Sequence, residues 1–142
     1  EVLQMPRKLG LEDIVHIVDH CNDMPAAYML ADVVACPSVE PEAFGRIPSE
    51  AQAMGRPVVS TAHGGAMETV LPGETGWLVS TGEVDQLSRA LVQVLSLTPE
   101  KRAKLAAKGR DHVIAEYSLE QMAERTLNVY AKALKRVIRN AA

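Results

Sequence analysis

The sequence predicts an open α/β layer fold, with parallel strands joined by crossover helices. Three observations predict it. Short β-branched or apolar runs alternate with helix-like stretches through residues 1–98. The run Val33-Val-Ala-Cys36 is continuously apolar, as a strand covered on both faces would be. Helix punctuation falls between the runs, where crossovers belong: Pro48 can open a helix, since its missing N–H costs nothing there, and Gly55 can close it.

The elements follow in order. Ile14-Val-His-Ile-Val18 reads as a first strand, and Asp23 offers an N-cap to a helix over Met24 to Ala31. Val33 to Cys36 is the second strand and Pro57-Val-Val-Ser60 the third. Gly76-Trp-Leu-Val79 is a fourth, after the turn-like Pro72-Gly-Glu-Thr. Val84, Leu87, Leu91 and Val94 recur at three and four residues and give one apolar stripe. Thr98-Pro99-Glu100 supplies a cap, a first-turn proline and an acid at the positive end of the dipole. Tyr117, Ser118, Gln121 and Met122 make a capping box and hydrophobic staple for a last helix. Its expected core face is Met122, Leu127, Tyr130, Leu134 and Val137. No internal repeat, low-complexity stretch or linker divides residues 1–142.

Composition excludes several classes. The chain has 142 residues, 47% of them hydrophobic, enough for a single core. No apolar run approaches the roughly 18–20 residues of a membrane span, and no signal-peptide pattern opens the chain. Cys21 and Cys36 fit neither a disulfide framework nor a CxxC pair, so a reduced, cytoplasmic setting is expected. Residues 1–98 carry 5 Lys+Arg against 13 Asp+Glu, whereas residues 99–142 carry 10 against 5. The basic end reads as solvated helices, or as a preference for anionic lipid at the inner face of the membrane or for a neighbouring domain. An acidic front and only five aromatics argue against nucleic acid. His16, His20 and Cys21 suggest a metal cluster, but the two histidines would lie about 13 Å apart along an extended strand. No metal site is expected. His63 reads as a core or turn histidine, and Met5, Met24, Met29, Met54, Met67 and Met122 as packing residues.

The chemistry concentrates in Glu42-Ala-Phe-Gly-Arg-Ile-Pro-Ser-Glu50. Ligands of open α/β sheets bind outside the carboxyl ends of the strands, which here points to the loops at 19–23, 38–45 and 61–65. A carboxylate has two acceptor oxygens and can take both hydrogens of a vicinal diol. Glu50 is expected in the first turn of the helix opened by Pro48, where the dipole favours its charged form, and suits a ribose 2′,3′-diol. Glu42 can hold sugar hydroxyls, and the amides of Phe44 and Gly45 can approach an anion closely. Phosphate would be repelled by either acid, so the acids mark the ends of a ligand whose anionic middle lies on amides. That describes a nucleotide-diphosphate sugar. An ordinary helix cap and a surface acid at this spacing remain the competing reading.

The run Pro37-Ser-Val-Glu-Pro-Glu42-Ala-Phe-Gly45, then Glu50-Ala-Gln-Ala-Met-Gly-Arg-Pro-Val-Val59, then Gly64-Gly-Ala-Met-Glu68, then Gly73-Glu-Thr-Gly-Trp-Leu-Val79, resembles the donor-binding domain of retaining glycosyltransferases of the GT-B fold. The likeness is to the group 1 (family 4) set, typified by sugar transferases of lipopolysaccharide and capsule assembly. It extends from about Leu9 to the last helix. It implies a Rossmann-like parallel sheet with flanking helices, an incomplete C-terminal half of a GT-B fold over residues 1–142, with C-terminal helices 99–142 packing on it. It implies that a UDP-, GDP- or ADP-sugar is the substrate, that no cofactor or metal is bound, and that the E-x7-E pair divides the work. Glu50 would bind the ribose hydroxyls, Glu42 would lie near the transferred sugar as the catalytic glutamate, and the amides of Ala43, Phe44 and Gly45 would run along the sugar and diphosphate. Gly64, Gly65 and Glu68 would complete the donor site, Glu68 as a loop organiser or a plain helix-start acid. Asp19-His-Cys-Asn22 would lie near the base. Arg46 stands where the family often has an aliphatic residue, and would contact phosphate or point into solvent.

The same resemblance sets an expectation about what lies outside the chain. Family donor domains begin with two earlier strands, which carry a Gly-Arg segment and a lysine that counter the diphosphate, and an N-terminal domain binds a glycan or lipid-linked acceptor. Without these, donor affinity should be low and the chain alone inactive. The strands at Ile14 and Val33 should then pair directly, or the chain should find a partner as a homodimer or strand-swapped dimer. Two other classes are considered. A hydrolysing epimerase on the same fold needs further acid/base residues that are not located here. A flavodoxin- or receiver-like module needs a lysine near a later strand end, and residues 9–100 contain none. No G-x-G-x-x-G follows a strand and no Walker A sequence occurs.

Overall fold

Three of the apolar runs become one parallel sheet. In a computed structural model, which describes residues 4–141, β1 (Val34–Cys36), β2 (Val58–Thr61) and β3 (Gly76–Val79) lie in the order β1-β2-β3. Val34 is registered with Val58, and Val58 with Gly76. The short α1 (Met5–Lys8) and α2 (Met24–Leu30) precede β1, α3 (Arg46–Ala53) and α4 (Ala66–Thr69) run between the strands, and α5 (Val84–Leu95), α6 (Pro99–Tyr117) and α7 (Leu119–Ala141) follow β3. The central strand β2 is buried at all four positions, since it has a neighbour on each edge and a layer on each face. Val58 packs with Tyr28 of α2, Ala51 of α3 and Val70 on one side. Val59 and Val79 pack with Ala90 and Val94 of α5 on the other. Each fully buried valine side chain contributes about 1.5–3 kcal/mol through area removed from water.

Local chemistry explains the ends of the elements. Asp23 accepts a hydrogen bond from the amide of Ala26 at 3.0 Å, as its N-cap position predicts. The α3 C-terminus is a Schellman motif: Gly55 takes a φ of +66°, its amide donates to the Gln52 carbonyl at 2.8 Å, and that of Arg56 donates to Ala51 at 2.8 Å. Thr98 Oγ1 caps α6 through the Lys101 amide, and Ser118 Oγ caps α7 through that of Gln121 at 3.3 Å. The α6 helix buries Leu105, Gly109 and Val113, and Gly109 lies close enough to α3 that a Cβ there would come 3.4 Å from Gln52 Cγ.

The structure corrects three expectations. Residues 14–18 form no strand; the amides of Ile14 and Val15 turn back onto the Leu11 carbonyl, and Ile14 and Val18 are 73% and 80% exposed. A strand needs a ladder partner and a covering layer. Residues 14–18 have neither, and the direct pairing with β1 expected for them does not occur. The outer edge of β1 carries no strand among the described residues, and Ala35 is exposed, so β1 is not covered on both faces. The stripe read for the last helix is real as a pattern but is not a core: Met122, Leu127, Tyr130 and Leu134 are all more than half exposed, and the Val137 side chain lies outside the described ones. Val84, the first residue of α5, is also exposed. Periodicity identifies an apolar face without saying what covers it.

Shortening Val94 to Ala should therefore lower the free energy of unfolding by about 1.5–3 kcal/mol. Leu134→Ala should change it by less than about 0.5 kcal/mol. Urea unfolding followed by circular dichroism measures both, and equal losses would mean that α7 is packed in solution.

Candidate functional site

The strands β1 and β2 end side by side, at Cys36 and Thr61, and the loops that leave them are joined backbone to backbone. The Gly65 amide donates to the Glu42 carbonyl at 2.8 Å. A Cβ on Gly65 would fall 2.1 Å from the carbonyl carbon and oxygen of Phe44, and one on Gly64 only 2.3 Å from the Glu42 carbonyl oxygen. No side chain fits at either position, which is the physical reason for two consecutive glycines. Thr61 Oγ1 donates to the Ser38 carbonyl at 2.8 Å and His63 Nε2 does so at 2.7 Å. Since that carbonyl only accepts, Nε2 carries the proton. His63 is thus a turn residue that ties the two loops.

This clamp shapes the start of α3. Gly45 is its N-cap with a φ of +77°, wedged 3.3 Å (by its missing Cβ) from the Ala66 amide. The helix therefore begins at Arg46, and Pro48 takes the third position, where an N–H is still not needed. Glu50 falls in the second turn and not the first, a correction that weakens the dipole reason for its charge. What holds it is direct. Tyr28 Oη donates to Glu50 Oε2 at 2.9 Å, and Arg46 donates from Nε at 3.1 Å and Nη2 at 2.9 Å to Oε1. Arg46 pairs with Glu50 along its own helix, with its side chain 82% exposed on the surface. Among the described residues, the amides of Ala43, Phe44, Gly45, Arg46 and Ile47 have no hydrogen-bond partner; Gly45 is buried, and the other four residues are exposed.

Glu42 and Glu50 line different hollows. Glu42 is exposed, accepts from Ser38 Oγ at 2.8 Å, and lines a narrow crevice with Cys36, Thr61 and His63. Glu50 lines a hollow of about 200 Å³ with Phe44, Arg46, Ser49 and Tyr117. Gly64 and Gly65 act by docking the loop. The side chain of Glu68 is exposed at the start of α4, and its carbonyl accepts from Tyr117 Oη at 2.8 Å, so the organising group at this position is its backbone. Residues 19–22 stay on the surface, with His20 Nε2 2.8 Å from Asn22 Oδ1, and line neither hollow. Among the described residues no group of three or more His, Cys, Asp and Glu side chains is placed to hold a metal ion.

Three contributors have little signature in the sequence. Tyr28 holds Glu50, Ser38 holds Glu42, and Tyr117 meets Phe44 edge-on at 5.4 Å between ring centres. A lone tyrosine in an apolar stretch is the only signal for Tyr28, and its partner is 22 residues away. Burial, then the hydrogen bond to Glu50, pushes the Tyr28 phenol up to about 12. Burial and the charge of Glu42 push the Cys36 thiol up to about 11.

The family described as glycosyl transferases group 1 matches residues 2–112. A GDP-mannose-dependent monoacylated alpha-(1-6)-phosphatidylinositol monomannoside mannosyltransferase of Corynebacterium glutamicum is 42% identical over 114 residues, 76% of this chain and 29% of its own. A D-inositol 3-phosphate glycosyltransferase of Corynebacterium aurimucosum is 36% identical over 132 residues, 92% of this chain and 31% of its own. The crystal structure of Anabaena HepE in complex with UDP-glucose superposes with a TM-score of 0.84 at 29% identity, covering 92% of this chain and 36% of that one. The fold is thus the Rossmann-like α/β arrangement seen in GT-B glycosyltransferases. This chain belongs to the group 1 glycosyltransferases, and it spans about a third of the length of the relatives it matches.

Gly65→Ala should cost at least about 1–3 kcal/mol of stability, because a methyl group has no room against the Phe44 carbonyl. An unchanged urea midpoint would show that the two loops are not in contact. Alkaline pH gives a second check. Both Cys36 and Tyr28 are favoured in their un-ionised forms by folding, so their contributions are fully present below the ordinary values of 9.0 and 10.0 respectively and are lost as pH climbs towards about 11 and about 12. Urea midpoints measured from neutral to alkaline pH should fall across that window, with a shallower fall in Tyr28→Phe.

Proposed function

We propose that this chain is the nucleotide-sugar-binding part of an enzyme that transfers a hexosyl group, with retention of configuration, from a UDP-, GDP- or ADP-sugar to a glycan or lipid-linked acceptor. Glu50 accepts the ribose hydroxyls, the open amides of residues 43–47 take the diphosphate, and Glu42 stands at the sugar being transferred. The observation that carries this reading is the run of unpartnered amides between two separately anchored carboxylates. A diphosphate needs donors without a nearby negative charge, and hydroxyl groups need acceptors. The order acid, amides, acid matches the order sugar, diphosphate, ribose. The charge that develops on the leaving diphosphate is met by fixed N–H dipoles, which need not reorganise during the reaction.

The relatives point to the same class of substrate and differ in its base: GDP-mannose is in the name of one, and UDP-glucose is bound in another. In this reading acceptor binding belongs to a further domain, and the pathway is cell-surface polysaccharide or lipopolysaccharide synthesis. The work is done in the cytoplasm or peripherally at the inner face of its membrane; among the described residues no helix is long and apolar enough to cross one. The open edge of β1 offers a place for a homodimer or a strand-swapped dimer.

Titration calorimetry with GDP-mannose and UDP-glucose tests the reading. Glu50→Ala should weaken nucleotide-sugar binding by roughly 1.5–3 kcal/mol, the worth of hydrogen bonds to a charged acceptor. An unchanged affinity would remove Glu50 from the ribose.

A further inference from the structure

We propose that Tyr28 is a positioning residue, whose hydroxyl fixes one oxygen of Glu50 so that the other is presented to the ribose, with Arg46 as the exchangeable partner of that second oxygen. The inference rests on the ribose role proposed for Glu50 and adds to it how the carboxylate is aimed. The two oxygens have unequal partners. Tyr28 Oη holds Oε2 from a different helix, and its ring is only 5% exposed, packed with Ala51, Val58 and Val70. That donor cannot swing away without opening the core. Arg46 holds Oε1 from one turn earlier on the same helix, and its side chain is 82% exposed. Surface pairs of this spacing are held loosely.

An incoming diol therefore displaces the guanidinium and leaves the phenol in place. A carboxylate that must meet two hydroxyl groups at once gains from a fixed orientation, since freedom about its terminal torsion would have to be lost on binding. With its phenol pushed up to about 12, Tyr28 remains a donor throughout the neutral range. Phenylalanine at this position keeps the ring in the core and removes only the oxygen.

The test compares UDP and GDP with their 2′,3′-dideoxy counterparts by calorimetry, in the wild-type chain and in Tyr28→Phe, Arg46→Gln and Glu50→Ala. The ratio of ribo to dideoxy affinity is the readout, because a general loss of stability would lower both affinities together. The wild-type chain should favour the ribonucleotides at least roughly tenfold. Tyr28→Phe should cut that ratio at least about threefold, whereas Arg46→Gln should change both affinities alike and keep the ratio within about twofold. If Tyr28→Phe keeps the wild-type ratio while Glu50→Ala loses it, the role of Tyr28 is overturned and the ribose reading stands. If Arg46→Gln loses the ratio as fully as Tyr28→Phe, the division between the two oxygens is overturned. If Glu50→Ala keeps the ratio, or the wild-type chain shows none, both readings fall together.

Discussion

The docking of Gly64-Gly65 onto the backbone of Glu42 to Phe44 is the contact on which the site depends. It brings peptide groups of two crossover loops so close that no Cβ can be accommodated. Its consequences run outward. The Glu42 carbonyl is spent on the Gly65 amide, Gly45 is forced into a left-handed turn, and α3 must begin there. Because the helix begins there, the amides of residues 43–47 are left open, and Glu50 arrives one turn later opposite Tyr28.

The electrostatics follow the same order. Both glutamates are anchored by hydroxyl donors, Ser38 for one and Tyr28 for the other, and the two line different hollows. The Arg46–Glu50 pair adds little to stability on an exposed helix surface.

The sheet was legible because short β-branched or apolar runs mark its three strands and because proline and glycine punctuate α3; the Schellman motif at Gly55 is what a glycine after that helix implies. The family was legible through four motifs in series. The strand expected at Ile14 was not legible as coil, since β-branched residues report a preference that only a neighbouring strand can realise. The register of α3 was misread because Pro48 tolerates several first-turn positions, and the position that wins is set by Gly45 docking on Ala66, far away in sequence. Tyr28 left almost no local trace, because its partner belongs to another helix. The apolar stripe of α7 was legible as a face, but burial depends on a second surface that no single helix encodes.

The most direct measurement is a crystal structure of this chain soaked with GDP-mannose or UDP-glucose. The geometry predicts diphosphate density against the amides of residues 43–47, ribose oxygens within hydrogen-bond reach of Glu50, and the sugar beside Glu42. Nucleotide density elsewhere on the molecule, with both glutamates keeping only their present protein partners, would contradict it.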